Sequence, residues 1–284
     1  MYYILALITG VVLSVMVAFN GGLSDQYGVY SATVFIHASG LAVIGVIALI
    51  NKERPFSNMQ PWYLYIGGAI GVLTIVSNNL AFGRISVSAI LALGLLGQSI
   101  TGLIIDQRGL FGMPRHPFTK GKLVGLALLI AGIAAMIYSF ETLAVVMSFI
   151  AGISIVLART VNAKLAVLTS VRISAFYNYV IGLAVAFLVF LLLGRGEAPE
   201  LVLSPYWFIY LGGALGLCIV LISNVIVVKI SAFYLTLLLF VGQIFSGVMI
   251  DVFITGEISV RNFMGGLFVA VGLCINLLLD KKKF

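Results

Sequence analysis

Leu96-Gly97-Gln98-Ser99-Ile100-Thr101-Gly102-Leu103-Ile104-Ile105-Asp106 and Val241-Gly242-Gln243-Ile244-Phe245-Ser246-Gly247-Val248-Met249-Ile250-Asp251 are two versions of one apolar segment, 145 positions apart. Both keep Gly-Gln, a glycine four residues after the glutamine and an aspartate four residues further. Outward from this segment, Gly67-Gly68-Ala69 with Gly71 recurs as Gly212-Gly213-Ala214 with Gly216. Pro61-Trp62-Tyr63 recurs as Pro205-Tyr206-Trp207. The chain is a tandem repeat, dividing into residues 1–141 and 142–284. Self-similarity on this scale is read before any local feature, because it decides the architecture.

Composition decides the solvent. The 284 residues are 62% hydrophobic and 9% charged, with a mean hydropathy of +1.21. Soluble domains carry about 25% charged residues, so a water-soluble enzyme is excluded. Cys218 and Cys274 lie in apolar runs and read as packers, without a disulfide framework. Met1-Tyr2-Tyr3 has no basic n-region, so the first apolar run reads as a retained span. No metal, phosphate-loop or nucleophile motif is present, and neither metal nor cofactor is expected.

Ten runs approach the roughly 20 residues a helix needs to cross the hydrocarbon core. In the first half they are Tyr3–Gly21, Ser31–Ile50, Trp62–Ala81, Ser86–Ile105 and Lys122–Phe140. In the second they are Leu143–Val161, Ile173–Gly194, Tyr206–Val227, Ser231–Ile254 and Asn262–Leu279. The expected fold is an all-α integral membrane protein of ten helices, because lipid offers backbone groups no partner. All six prolines fall outside these runs, so the spans should be mostly continuous. Glu141-Thr142 is a tight turn between the halves. Trp62, Tyr63, Tyr206 and Trp207 near span ends fit an interfacial aromatic belt.

The net charge of +7 is distributed as topology rather than as a nucleic-acid surface. On the side of the N-terminus lie Lys52, Arg54, Arg108, Arg115, Lys120, Lys122, Arg159, Lys164, Arg172, Lys229, Lys281, Lys282 and Lys283. The opposite side has Arg84, Arg195 and Arg261. This bias predicts both termini in the cytoplasm. Five spans per half then insert the second copy upside down, an arrangement that points to a transporter with its site at the repeat interface.

Gln98 and Gln243 sit near mid-span, where a carboxamide needs hydrogen-bond partners. Gln98, Gly102 and Asp106 share a helix face, as do Gln243, Gly247 and Asp251. The expected role is substrate contact along a polar stripe; a hydrogen bond holding the bundle together is the alternative. Asn79, Asn224 and His37 join the substrate-binding candidates, with capping or packing as their other reading. His37 has no counterpart histidine, since the matching region reads Phe176-Tyr177-Asn178-Tyr179. Asp106 and Asp251 are candidates for gating or proton coupling. Against that stands an interfacial carboxylate paired with a loop base. The inverted topology sends the two carboxylates toward opposite faces, which excludes a catalytic acid pair. Arg159 reads as a snorkelling cation, with anion binding as its other reading, and the Gly67/Gly71 and Gly212/Gly216 pairs read as close helix contacts.

Three features carry a family resemblance. They are a polar turn after the first span of each half (Asn20-Gly21-Gly22-Leu23; Asn162-Ala163-Lys164-Leu165), the Pro-aromatic start of the Gly-Gly-Ala-x-Gly span, and the Gly-Gln…Gly…Asp span. Each half thereby resembles the YdcZ branch of the drug/metabolite transporter superfamily. The resemblance implies ten helices in inverted repeats and a multi-pass protein of the bacterial inner membrane. It also implies export of a small metabolite or drug, in a fused form of units that otherwise pair head to tail. Small multidrug relatives use a glutamate in the first span for proton antiport; Tyr3–Gly21 contains no acid, so that mechanism does not carry over. The expected partners are a small-molecule substrate and the lipid bilayer, with no nucleic acid. Proton coupling and a monomeric or dimeric state stay open, and a channel-like or lipid-moving protein is the alternative class.

Overall fold

The computed structural model describes residues 2–57, 59–113, 115, 126–127, 130–131, 141–197, 203–256, 260, 263–268 and 270–271. Among these, helices account for nearly all regular structure and no strand occurs. The elements are α1 (Tyr2–Tyr27), α2 (Val29–Ile50), α3 (Gly67–Ala81), α4 (Val87–Arg108), α5 (Thr142–Leu168), α6 (Val171–Leu193), α7 (Gly212–Ile226) and α8 (Ala232–Thr255). Short 3-10 turns at Trp62–Leu64 and Trp207–Leu211 lead into α3 and α7. Among the described residues, eight segments are long and apolar enough to cross a membrane. The expected fifth and tenth spans lie largely outside the described residues.

Many large apolar side chains are exposed, while many polar ones are buried. Leu49, Leu192, Met249 and Phe253 are exposed, whereas Thr9, Ser14, Asn20, His37, Gln98, Asn162 and Gln243 are buried. Water would favour the reverse, so this distribution suits a hydrocarbon surround.

Two expectations are corrected. Asn20-Gly21-Gly22 and Asn162-Ala163-Lys164 are not turns: α1 continues to Tyr27 and α5 to Leu168. The polar side chains are tolerated in mid-helix because Asn20 and Asn162 are buried against another helix at 3% and 4% exposure. Arg159 is likewise buried, at 7%, where snorkelling would have left its head exposed.

The chain forms two compact units, each drawing on both sequence halves. The first comprises Met1–Val15, Ala81–Ile153 and Ile230–Phe284. Its centre is α4 against α8, antiparallel, since Asp251 near the end of α8 bonds Val87 and Ser88 at the start of α4. Ala92, Leu93 and Leu95 of α4 share a core with Phe240 and Ile244 of α8. The glycine of each Gly-Gln pair lets a further helix approach. A Cβ at Gly242 would strike the Leu7 carbonyl of α1, and one at Gly97 the Phe149 carbonyl of α5. Gly10 and Gly152 answer from the other side, against Leu239 and Gly94. This is small-residue packing of membrane helices, made twice by matched residues.

Helix starts in this unit are capped locally. Ser86 accepts from Ala89 N–H at 3.2 Å on α4, and Glu141 accepts from Ala144 N–H at 3.0 Å on α5. Each such cap contributes about 1 kcal/mol.

The second unit comprises Met16–Leu80 and Ser154–Lys229. Its centre is α2 against α6, also antiparallel. Gly40 of α2 faces the Tyr179 ring, Gly182 of α6 faces the His37 ring, and Ile44 and Ala175 share a cluster with Leu217. Neither glycine has room for a Cβ. Helix α7 packs on α2 at Gly213, and α3 packs on α6 at Gly68. The preceding glycines, Gly212 and Gly67, make room for Asn20 and Asn162. The two Gly-Gly pairs therefore serve a side chain with their first glycine and a backbone with their second.

Candidate functional site

The first unit places Gln98 and Gln243 on the packed α4/α8 pair. From Ser88 to Gln98 is ten residues, and from Asp251 back to Gln243 is eight. At 1.5 Å per residue the two carboxamides lie within about 3 Å of a common level. Both are buried, at 1% and 0% exposure. Oε1 of Gln98 and both Oε1 and Nε2 of Gln243 have no hydrogen-bond partner, and neither has the Ser99 hydroxyl. A buried polar group left unpaired costs about 1–3 kcal/mol. Such groups in a folded protein call for a ligand, an ion or water.

Asp251 is differently placed. Val87 N–H donates to its Oδ1 at 2.9 Å, and Ser88 N–H and hydroxyl donate to its Oδ2 at 3.2 and 2.5 Å. The carboxylate thus satisfies the first amides of α4, where the helix dipole also favours negative charge. Asp106, its match in α4, is buried at 2% exposure.

The second unit holds the remaining candidates. Asn79 and Asn224 are buried at 5% and 3%. Nδ2 of Asn79 and both polar atoms of Asn224 have no partner, nor have Ser77 Oγ and Asn20 Oδ1. Asn162 differs from its match Asn20: its Nδ2 donates to Asn178 Oδ1 at 2.8 Å. His37 Nδ1 lies 2.9 Å from the Thr33 carbonyl. A carbonyl only accepts, so Nδ1 carries the hydrogen and Nε2 of the neutral ring keeps its lone pair. The Tyr179 hydroxyl donates to the Gly213 carbonyl at 3.0 Å, and its ring centroid is 6.0 Å from that of His37.

This pairing identifies Tyr179 as the structural counterpart of His37. His37-Ala38-Ser39-Gly40 aligns with Tyr179-Val180-Ile181-Gly182, and each ring packs on the other segment's glycine. The repeated ring-x-x-Gly spacing was the available signal. Glu197 gave no comparable signal. It lies beyond α6 and accepts from Tyr30 N–H at 3.1 Å, Ser31 N–H at 2.8 Å and the Ser31 hydroxyl at 3.0 Å, capping α2. Among the described residues no group of three His, Cys, Asp or Glu is placed to hold a metal.

Comparison with known proteins bears on the fold and the family. A solved structure described as "Crystal structure of protein" matches with a TM-score of 0.70 at 16% identity, covering 98% of this chain and 97% of that one. That likeness concerns the fold alone. No curated protein matches the chain. A family model described as "Putative inner membrane exporter, YdcZ" matches twice, over residues 1–135 and 143–275. With both halves matched, this multi-pass inner-membrane chain belongs to the YdcZ family of drug/metabolite-transporter-like exporters.

Proposed function

We propose that the chain is a secondary transporter that exports a small organic metabolite or drug by alternating access. In this reading ten helices form two inverted repeats with both termini cytoplasmic. The lopsided loop charge and the antiparallel pairing of matched helices, α4 with α8 and α2 with α6, support it. The substrate site lies between α4 and α8, one helix from each repeat, near mid-membrane.

The observation that carries this assignment is the pair of buried carboxamides with unpartnered atoms, Gln98 and Gln243. A glutamine offers two donors and an acceptor of two lone pairs, so the pair can read a polar, uncharged part of a solute. The carboxylates on these two helices, Asp106 and Asp251, each lie eight residues from the glutamine of their own helix, so neither helix sets an acid next to its glutamine to draw a permanent cation. Asn79, Asn224 and His37 are assigned as further hydrogen-bonding contacts in the second unit, the last through Nε2. Asp251 is assigned to the fold as the cap of α4, and Asp106 by repeat correspondence to the N-terminal turn of α8. That role leaves proton coupling to other groups or makes the protein a facilitator.

The test is flux in proteoliposomes against a panel of small metabolites. The expected result is saturable transport of at least one solute, falling about tenfold in Gln98→Ala and in Gln243→Ala, the effect of losing about 1.4 kcal/mol of binding. Normal transport by the double variant would overturn the site. Flux without saturation, far above carrier turnover, would replace the carrier by a channel.

A further inference from the structure

We propose that two tyrosine clusters in the second unit are the gates of the transport path, on opposite sides of the level of His37 and Tyr179. The inference rests on the transporter reading and adds the residues that open and close.

At the start of α2, Tyr27 and Tyr210 join hydroxyl to hydroxyl, and the Phe35 ring packs on Tyr27 at a centroid distance of 5.4 Å. Toward the other end of α2, Tyr65 packs edge-on against Tyr177 at 4.5 Å, Phe56 adds a second edge contact to Tyr177 at 6.1 Å, and the Tyr177 hydroxyl donates to the Pro55 carbonyl at 3.1 Å. Phe35 precedes His37 by two residues on α2 and Tyr177 precedes Tyr179 by two on the antiparallel α6, so the clusters close on the middle of the pair from opposite sides. His37 and Tyr179 lie between them, at the middle of the pair.

Three observations mark these as more than packing. First, the clusters are built by the repeat. Tyr65 and Tyr210 are matched residues, and each hydroxyl accepts a backbone N–H from the loop before it, from Gln60 and from Ser204, both at 2.8 Å. Second, each cluster joins the two sequence halves, Tyr27 to Tyr210 and Tyr65 to Tyr177. These are contacts that must part if the halves alternate. Third, they are not belt residues. Trp62, Trp207 and Tyr206 of the belt are 78%, 69% and 63% exposed, whereas Tyr27 and Tyr177 are 4% and 6% exposed. A phenol suits a gate because its ring excludes solute while its hydroxyl can trade a protein partner for water.

The clusters differ in what holds them shut. Tyr27 and Tyr210 are joined by a bond between their hydroxyls, whereas Tyr65 and Tyr177 meet through their rings. Loss of the Tyr210 oxygen should therefore loosen the first pair, and loss of the Tyr65 oxygen should leave the second in contact.

The experiment needs no substrate. Ser39→Cys, facing Gly213 at the middle of α2, is the reporter in full-length protein lacking Cys218 and Cys274. Its labelling by a membrane-impermeant maleimide is timed in right-side-out and inside-out vesicles. Tyr210→Phe and Tyr27→Ala should each raise the rate at least fivefold from the outer face alone. Tyr177→Ala should do so from the cytoplasmic face alone, and Tyr65→Phe should leave both rates unchanged. Size-exclusion profiles guard against misfolding, and Tyr210→Phe removes one oxygen only. Unchanged rates in every variant, or equal rises from both faces, would overturn the gates. Side-specific labelling without saturable flux would uphold the gates while the carrier reading failed. Saturable flux with side-blind labelling would do the opposite.

Discussion

The α4/α8 pair and the α2/α6 pair are built alike and have aged differently. Each sets one helix from the first half antiparallel to its match from the second. In α4/α8 the matched positions kept their residues: Gly97 with Gly242, Gln98 with Gln243, Asp106 with Asp251. In α2/α6 they did not: His37 answers to Tyr179, Phe35 to Tyr177 and Ile36 to Asn178. Even the matched Asn20 and Asn162 part company, since only Asn162 finds a side-chain partner in Asn178. Backbone proximity explains part of the contrast. Gly97 and Gly242 meet carbonyls of a neighbouring helix, and no other residue fits there in either copy. Gly40 and Gly182 meet the rings of Tyr179 and His37, so the glycines are fixed while the rings may differ. The lesson is that retained symmetry marks what both halves need alike, and lost symmetry marks where one face of the molecule came to differ from the other.

The comparison breaks most readily at a retained glycine. Gly242→Leu would force α1 away from α8 at the Leu7 carbonyl, and should cost about 3 kcal/mol, the upper end for overpacking. Gly45→Ala in α2, where an added Cβ meets nothing within 4 Å, should be neutral or gain up to about 1 kcal/mol. Thermal unfolding of the two purified variants in one detergent checks both; equal melting points would remove the special status of Gly242.

Second in size is the long-range cap. Asp251→Ala strips α4 of the partner for two amides and should lower stability by about 1–2 kcal/mol. If Asp106 serves α8 in the same way, Asp106→Ala should cost a similar amount, and unfolding in increasing denaturant would reveal any inequality between them. A stable Asp251→Ala protein that had lost transport would return that residue to coupling.

The smallest effect sharpens the asymmetric side. Tyr179→Phe removes only the hydrogen bond to Gly213 and should cost about 0.6–1.7 kcal/mol, the range for interhelical bonds in membranes. His37→Phe, whose bond lies within its own helix, should cost less. A reversed order would mean that the imidazole, not the phenol, holds the α2/α6 pair together.

The architecture was readable because lipid imposes simple rules. Hydropathy placed the eight described spans, and the exact recurrence around Gln98 and Gln243 betrayed the repeat. The Pro-aromatic and Gly-Gly signals reported helix starts and close contacts. What remained hidden depended on distance through space. Asn20 and Asn162 read as turn residues, because nothing local says that Gly212 and Gly67 await them. The Asp251 contact with Ser88 spans 163 positions, and a terminal carboxylate looks alike in sequence whether it meets water or a helix. Which ring of Phe176-Tyr177-Asn178-Tyr179 answers to His37 was not legible, because the repeat offset is 142 there and 145 around Gln98. The division into compact units was equally out of reach, since both mix segments from either half.

The facing rings of His37 and Tyr179 also have a genetic meaning. Two identical half-length chains can only set like against like: imidazole would answer imidazole, phenol would answer phenol. A mixed pair requires that the halves be inherited as different sequences. Once that difference was fixed, the gene could still be cut at Glu141-Thr142, but the products would be two distinct polypeptides, each needing the other.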